Sequence, residues 1–212
     1  AAASALISFV IFHLFSCDIV FVLFCFDSLF YQCELTFCGG YKQQKEQLEN
    51  LVLETNKQLG DIDILVCNAA VNPFFGSSLD IPDDAFDKIL NANIKSNHWL
   101  CNLVLPQMIK KKDGVIIIIS SVGGLKGSEL LGAYSISKAA DMQLARNIAV
   151  EHGPNNIRAN CISPGLIKTY FAKALWDNPE ILKSTTSKAP LRRIGMPDEI
   201  AGAAVFLASD AG

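Results

Sequence analysis

No lysine or arginine occurs before Lys42, and no glycine before Gly39, in a chain of 212 residues. The first absence removes the flanking positive charge that would orient a membrane span or open a secretory signal. The second removes the small residues with which a turn near the N-terminus could bring its backbone amides against a pyrophosphate. Basic residues never run longer than Lys110 to Lys112 and the net charge is −3, which excludes the electrostatic footprint of a nucleic-acid-binding protein. The seven cysteines are odd in number and show neither a CxxC pair nor Cys/His ligand spacing, which argues against a disulfide framework and against a metal site. A reducing compartment is the expectation that this usage fits.

With half its residues hydrophobic and 18 % charged, the chain can bury one good core. The apolar residues are unevenly placed, because eight of the 13 phenylalanines and four of the seven cysteines precede residue 40. The run ALISFVIFHLFSCDIVFVLFCF, residues 5–26, reaches the length of about 20 apolar residues that a bilayer crossing needs, so membrane contact through it is one reading. Against that reading stand Asp18 and His13 inside the run, and flanks without the Lys or Arg that orients a span. A segment of hydrophobic core is a second reading. A misjoined or intron-derived origin is a third, since Phe, Leu, Ile, Val, Ser, Cys and Tyr are what T-rich DNA encodes. Residues 1–40 are accordingly set apart from a domain over residues 41–212.

From residue 42 onward, helix-period stretches alternate with short β-branched runs, the pattern of a parallel sheet flanked by helices. KQQKEQLENLVLETNKQLG predicts a helix with Leu48, Leu51, Val52 and Leu59 on one stripe, stopped by Gly60. DIDILVC (61–67), GVIIIISS (114–121) and NIRANCIS (156–163) predict strands, the second of them apolar on both faces as a central parallel strand is. Further helices are predicted from IPDDAFDKIL, over 133–150, and over 197–209, where Pro197 and two acids open the first turn. In the 133–150 helix, Ile136, Ala140, Leu144 and Ala145 make the stripe expected to pack on the sheet. Ala139, Met142, Gln143 and Ile148 then leave a second, lightly charged face, which predicts burial on more than one side.

Ligands in such a sheet bind beyond the carboxyl ends of its strands, so NAAVNPFFG, SSVGG and SPGLIKT are where a site is expected. Beside them, Tyr134 and Lys138 stand four apart at the start of a helix and share a face. A phenol ordinarily ionises near pH 10, too high for ready proton exchange at neutrality. A neighbouring ammonium is expected to lower that value and make the tyrosine a usable general acid/base. Ser121, thirteen residues before Tyr134 at the end of a strand, is placed to hold a substrate oxygen. Spacing alone does not identify a site, because Tyr41 and Lys45 are also four apart and Ser28 also stands thirteen residues before Tyr41. Context separates the two sets: only Ser121 ends a strand followed by a turn-rich loop, and only Tyr134 opens a helix that leads into another strand.

Taken in order, these residues resemble the short-chain dehydrogenase/reductase family over about residues 42–212. Asn68, Ala69 and Ala70 after DIDILV resemble its Asn-(Asn/Ala)-Ala-Gly segment, and Asn93 in NANIK resembles its active-site asparagine. Ser121, Tyr134 and Lys138 complete a tetrad at the family's spacing. SPGLIKT resembles its Pro-Gly segment, which implies cofactor contacts from Pro164, Gly165, Ile167 and Thr169 besides those of Asn68, Ala69, Ala70, Tyr134 and Lys138. The fold implied is α/β, a Rossmann-type doubly wound parallel sheet, expected here to be truncated at both ends, with the family's first strands and last strand missing or replaced. The activity implied is that of an NAD(P)-dependent oxidoreductase interconverting a carbonyl and an alcohol, with NADP(H) expected ahead of NAD(H). In the family mechanism Tyr134 protonates the carbonyl oxygen, Ser121 positions that oxygen, Lys138 tunes Tyr134 and holds the nicotinamide ribose, and Asn93 supports a proton-relay water. Phe74, Phe75 and Trp176 are expected to line the substrate pocket, and a homo-oligomer, dimer or tetramer, is implied through the 133–150 helix. The departure from the family is its missing Gly-x-x-x-Gly-x-Gly turn; the only later spacing like it, Gly123 to Gly127, has Glu129 where the third glycine belongs. The opposing expectation is therefore a non-catalytic chain unable to bind its cofactor.

Overall fold

The computed structural model describes residues 20–24, 31–34 and 41–212, so Ser28 and most of the 5–26 run, with Asp18 and His13, lie outside the described residues. The rest of that run includes strand β1 (Val20–Phe24), which pairs antiparallel with β2 (Tyr31–Glu34) and with β3 (Ile64–Cys67). β4 (Gly114–Ile119) and β5 (Ile157–Ile162) extend the sheet in parallel, giving the order β2-β1-β3-β4-β5. The three predicted strands thus form a parallel, Rossmann-type α/β sheet, while the place beside β3 is held by an antiparallel pair. Among the described residues, no helix is long and apolar enough to cross a membrane.

The described residues divide into two compact units, residues 20–163 and residues 164–212. In the first, every residue of β3 and β4 is buried, as their unbroken β-branched and aliphatic runs require of strands covered on both faces. Helix α1 (Tyr41–Leu59) lays Leu48, Leu51 and Val52 into this core, with Thr55 buried beside them through a hydrogen bond to the Leu51 carbonyl. It stops where Gly60 takes φ +91°, a left-handed conformation open to glycine at little cost, and the Gly60 N–H closes on the Asn56 carbonyl at 3.0 Å.

Helix α2 (Asp83–Leu90) runs through a π-helical turn, Asn91–Lys95, into α3 (Ser96–Lys111). Helix α4 (Gly132–His152) follows a short 3₁₀ turn, Val122–Leu125, that leaves β4. Its inward face differs from the predicted stripe: Ala133, Ser137, Lys138, Asp141, Met142, Ala145 and Ile148 are buried, whereas Ile136 is 55 % exposed. Of the predicted stripe, Ala145 is buried and Leu144 packs against the core. The inward face also takes in Ser137, which bonds Asn93 and the Tyr134 carbonyl, and Lys138 and Asp141, which bond each other, the Ile119 carbonyl and Asn97, so that these polar side chains need no water. Met142 and Ile148 therefore belong to the core and not to a free face.

In the second unit, Ile167 bridges Gly195, and Lys168 N–H donates to the Gly195 carbonyl at 2.9 Å. Helices α5 (Lys173–Trp176) and α6 (Pro179–Lys188) had no sequence expectation; α6 is capped by Asn178, whose Oδ1 accepts from the amides of Glu180 and Ile181. Helix α7 (Pro197–Ala208) starts at Pro197 as expected. The Glu199 carboxylate accepts the Met196 N–H at 2.8 Å and a forked pair of bonds from Arg193, which holds its carboxyl down at about 2.

Candidate active site

Parallel pairing sets the carboxyl ends of β3, β4 and β5 side by side, with Cys67 opposite Ile118 and Ile119 opposite Ile162. Asn68, Ala69 and Ala70 leave the first end, and Ser120 and Ser121 the second. The Ser120 hydroxyl donates to the Lys138 carbonyl at 2.6 Å, which ties the first turns of α4 to the end of β4. The following turn lies so close that a Cβ on Gly124 would stand 2.7 Å from the backbone nitrogen of Ala139. A side chain there would push α4 away from Ser121.

Within this frame the structure brings together all four residues of the expected tetrad. The Ser121 and Tyr134 side chains are hydrogen-bonded, and Ser121 Oγ also accepts the Gly123 N–H at 3.0 Å. Lys138 Nζ lies 5.8 Å from the Tyr134 ring centroid, donating to the Ile119 carbonyl at 2.8 Å and to Asp141 Oδ2 at 3.0 Å. Asn93 sits wholly buried in the π-helical turn, where one extra residue per turn aims its side chain off the regular helix ladder. Its Oδ1 accepts the Val71 N–H at 2.8 Å, and its amide donates to the Val71 carbonyl at 3.1 Å and to Ser137 Oγ at 2.9 Å. Ser137 in turn donates to the Tyr134 carbonyl at 2.7 Å. Asn93 is thus a brace between the loop after β3 and the first turn of α4.

The electrostatics correct one expectation. Tyr134 does not ionise more easily than an ordinary phenol: burial pushes its pKa up, Lys138 and the Ser121 hydrogen bond pull it back, and Asp141 pushes it up again. The ammonium acts in the expected direction and is outweighed. Asp141 was not foreseen. Its carboxylate is fully buried, gripped by Lys138 and by Asn97 Nδ2 at 2.9 Å, and Asn97 also donates to the Asn93 carbonyl at 2.7 Å. Spacing held the signal: Asp141 is three residues beyond Lys138 and Asn97 four beyond Asn93, so each pair shares a helix face.

A cleft beside Tyr134 is lined by Asn72, Phe74 and Ile81 on one side and by Leu130, Leu131 and Ala133 on the other. Gly76 leaves room for the Phe74 ring in this wall, because a Cβ there would meet the ring tip at 2.9 Å. Phe75 is 51 % exposed and is not among the lining residues. Trp176, Ile167 and Thr169 belong to the second unit, in which the Trp176 indole donates to the Thr169 carbonyl at 2.7 Å. The paired set Tyr41 and Lys45 lies on α1, where Lys45 is an exposed partner of Glu49 at 3.7 Å.

The residues fit a nicotinamide cofactor at one end only. At the carboxyl ends of the strands they offer a phenol, a serine hydroxyl and an ammonium with one N–H not used by Ile119 or Asp141. At the pyrophosphate end, the strand beside β3 runs antiparallel and no glycine precedes Gly39, so the described residues form no glycine turn leading from a parallel first strand into a helix.

Residues 42–212 match a family model described as Enoyl-(Acyl carrier protein) reductase. Dehydrogenase/reductase SDR family member 4 from Bos taurus is 42 % identical over 165 residues, 78 % of this chain and 59 % of the relative, so the chain spans about three-fifths of that relative's length. Among solved structures, a gluconate 5-dehydrogenase from Burkholderia cenocepacia in complex with NADP and tartrate is 28 % identical, with a TM-score of 0.75 over 78 % of this chain and 64 % of that one. An NAD+-bound xylitol dehydrogenase is 30 % identical, with a TM-score of 0.72 over 78 % of this chain and 69 % of that one. On the strength of the family match and these likenesses, the chain belongs to the short-chain dehydrogenase/reductase family.

Proposed function

We propose that this chain carries the catalytic centre of an NAD(P)-dependent oxidoreductase that interconverts a carbonyl and an alcohol. The observation that carries the proposal is the joined set Ser121–Tyr134–Lys138 at the carboxyl ends of two parallel strands, beside a cleft. When bound, the nicotinamide supplies hydride to a carbonyl carbon or accepts it from an alcohol. Tyr134 holds the proton that the carbonyl oxygen needs. Ser121, with its oxygen fixed by the Gly123 N–H and the tyrosine, orients the substrate oxygen against that proton. Lys138 keeps the phenolate left behind from being unaccompanied. Asn93 acts as a positioning residue: both of its amide hydrogens are engaged, so it fixes Val71 and, through Ser137, the turn that carries Tyr134.

Phe74 is assigned to the substrate wall on its place in the cleft. Phe75 and Trp176 keep that assignment only by resemblance, as do Asn68, Ala69, Ala70, Pro164, Gly165, Ile167 and Thr169 for the cofactor. NADP(H) is preferred over NAD(H) on the resemblance, as is a homo-oligomeric assembly; a reducing compartment rests on cysteine usage. A second reading is favoured by the antiparallel β1 and the lack of an early glycine turn: a chain that keeps the proton-transfer residues without holding a cofactor.

One experiment separates the two readings. The chain is incubated with excess NADPH or NADH deuterated at the transferable position and with a panel of aromatic and aliphatic ketones and aldehydes, and alcohols are analysed by mass spectrometry. Deuterium on the carbinol carbon is expected, more of it from NADPH. No labelled alcohol from any member of the panel with either coenzyme, together with no heat on titrating coenzyme into the chain, contradicts the first reading and establishes the second.

A further inference from the structure

Lys138 and Asp141 are the most deeply buried charged pair among the described residues: each is at most 1 % exposed, and the ammonium and carboxylate meet at 3.0 Å. Burying two charges is costly and stabilises a fold only when every donor and acceptor is satisfied. Here the ammonium also reaches the Ile119 carbonyl, and the second carboxylate oxygen takes the Asn97 amide. The Asn97 amide is itself anchored to the π-helical turn through the Asn93 carbonyl, so the carboxylate is clamped from α3 and α4 at once. A lysine whose only task was to favour a neighbouring phenolate would act most strongly without a carboxylate beside it.

We infer that Asp141, held by Asn97, is a positioning residue that balances the Lys138 charge and keeps Tyr134 a phenol, poising the site to give a proton to a carbonyl oxygen rather than take one from an alcohol. The inference rests on the assignment of Tyr134 as the proton-transfer group. In the reduction the Tyr134 O–H bond breaks, an O–H bond forms on the substrate oxygen, and the hydride taken up by the carbonyl carbon is the one the nicotinamide supplies. The oxidation needs the reverse and must start from phenolate. With Asp141 ionised, Tyr134 faces a pair of no net charge, and burial then keeps its proton in place.

The other titratable groups around the pair do not replace this balance. Cys67 on β3 is held up by its hydrogen bond to Cys101 on α3 and by burial, and Cys161 on β5 is pushed up by burial to about 12, so both remain neutral thiols around neutrality. Arg146, two turns along α4, is exposed to solvent. Asp141 itself is raised by burial and drawn back by Lys138 and Asn97. The balance therefore operates above the pH at which Asp141 gives up its proton and is lost as pH falls below it.

The test follows phenolate absorbance during an alkaline titration of the full chain, with the same titration of a Tyr134→Phe variant subtracted in each background to isolate Tyr134. In Asp141→Asn, which keeps the shape and an oxygen for Lys138, the Tyr134 transition is expected at lower pH than in wild type, and any alcohol oxidation should gain rate at lower pH in step with it. A transition at unchanged or higher pH overturns the inference, even if Asp141→Asn melts earlier, since a merely structural carboxylate would affect only the melt. Should Asp141→Asn fail to fold, the pair is removed together in Lys138→Met/Asp141→Leu, the kind of exchange that buried ion pairs tolerate. The double variant is expected to titrate Tyr134 at higher pH than wild type but with a smaller shift than Lys138→Met alone, and a shift as large as that of Lys138→Met alone overturns the balance. Neither reading requires catalysis, so a shifted phenolate without labelled alcohol would contradict the proposed activity and leave the role of Asp141 standing.

Discussion

Burial, more than any neighbouring charge, keeps the Tyr134 proton in place; Lys138 and Ser121 support the phenolate, and Asp141 opposes it. The residue that holds this arrangement in place is Asn93, whose side chain satisfies three polar groups at once, the buried Ser137 hydroxyl and the half-buried Val71 N–H and carbonyl. Asn93→Ala would leave the Val71 N–H, the Val71 carbonyl and the Ser137 hydroxyl without that partner. An orphaned buried group costs about 1–3 kcal/mol. The expected result in urea unfolding is a loss of at least that size; an unchanged midpoint would remove Asn93 from the frame of the site. The nearness of Tyr134, Lys138 and Ser121 was legible, because four-residue spacing on a helix and a serine ending an apolar strand are local patterns; Asn93 entered through the family resemblance alone. Asp141 and Asn97 were not legible, since their roles arise only when α3 and α4 are packed side by side.

Among the elements, strands read most directly. GVIIII can satisfy so many β-branched side chains only as a strand buried on both faces, and β4 is that strand. The π-helical turn at Asn91–Lys95 has no sequence signature comparable to a proline or glycine break, so the way Asn93 is aimed could not be read ahead of the structure. Helix α4 misled for a definite reason: its buried face carries Ser137, Lys138 and Asp141, and a rule that follows apolar residues looks past them. The correction is testable by exchange of one charge between faces. Met142→Glu places a carboxylate in the core and is expected to cost on the order of 3–5 kcal/mol, as an uncompensated buried charge does. Ile136→Glu, on the exposed face, should leave the unfolding midpoint nearly unchanged. Equal losses in thermal or urea unfolding would restore the stripe that the periodicity suggested.

On the scale of the whole molecule, family membership and the parallel strands agree, while the pairing beside β3 departs from them. β3, β4 and β5 form a parallel sheet with Ser121 beyond a carboxyl end and Tyr134 and Lys138 beside it, yet β1 meets β3 antiparallel. Composition changes near residue 40, with the first lysine at residue 42 and the first glycine at residue 39, but it could not show that part of the hydrophobic run would join the sheet. The central claim is that Tyr134 and its neighbours, and not any tyrosine four residues before a lysine, carry the proton in a hydride-transfer reaction. The most direct measurement is the initial rate of NADPH-dependent carbonyl reduction, at coenzyme and substrate in excess, for wild type, Tyr134→Phe and Tyr41→Phe. Removing a general acid is expected to lower the rate by about 10²-fold or more in Tyr134→Phe, with Tyr41→Phe close to wild type. Equal effects of the two substitutions, or a Tyr134→Phe variant as fast as wild type, would contradict the account.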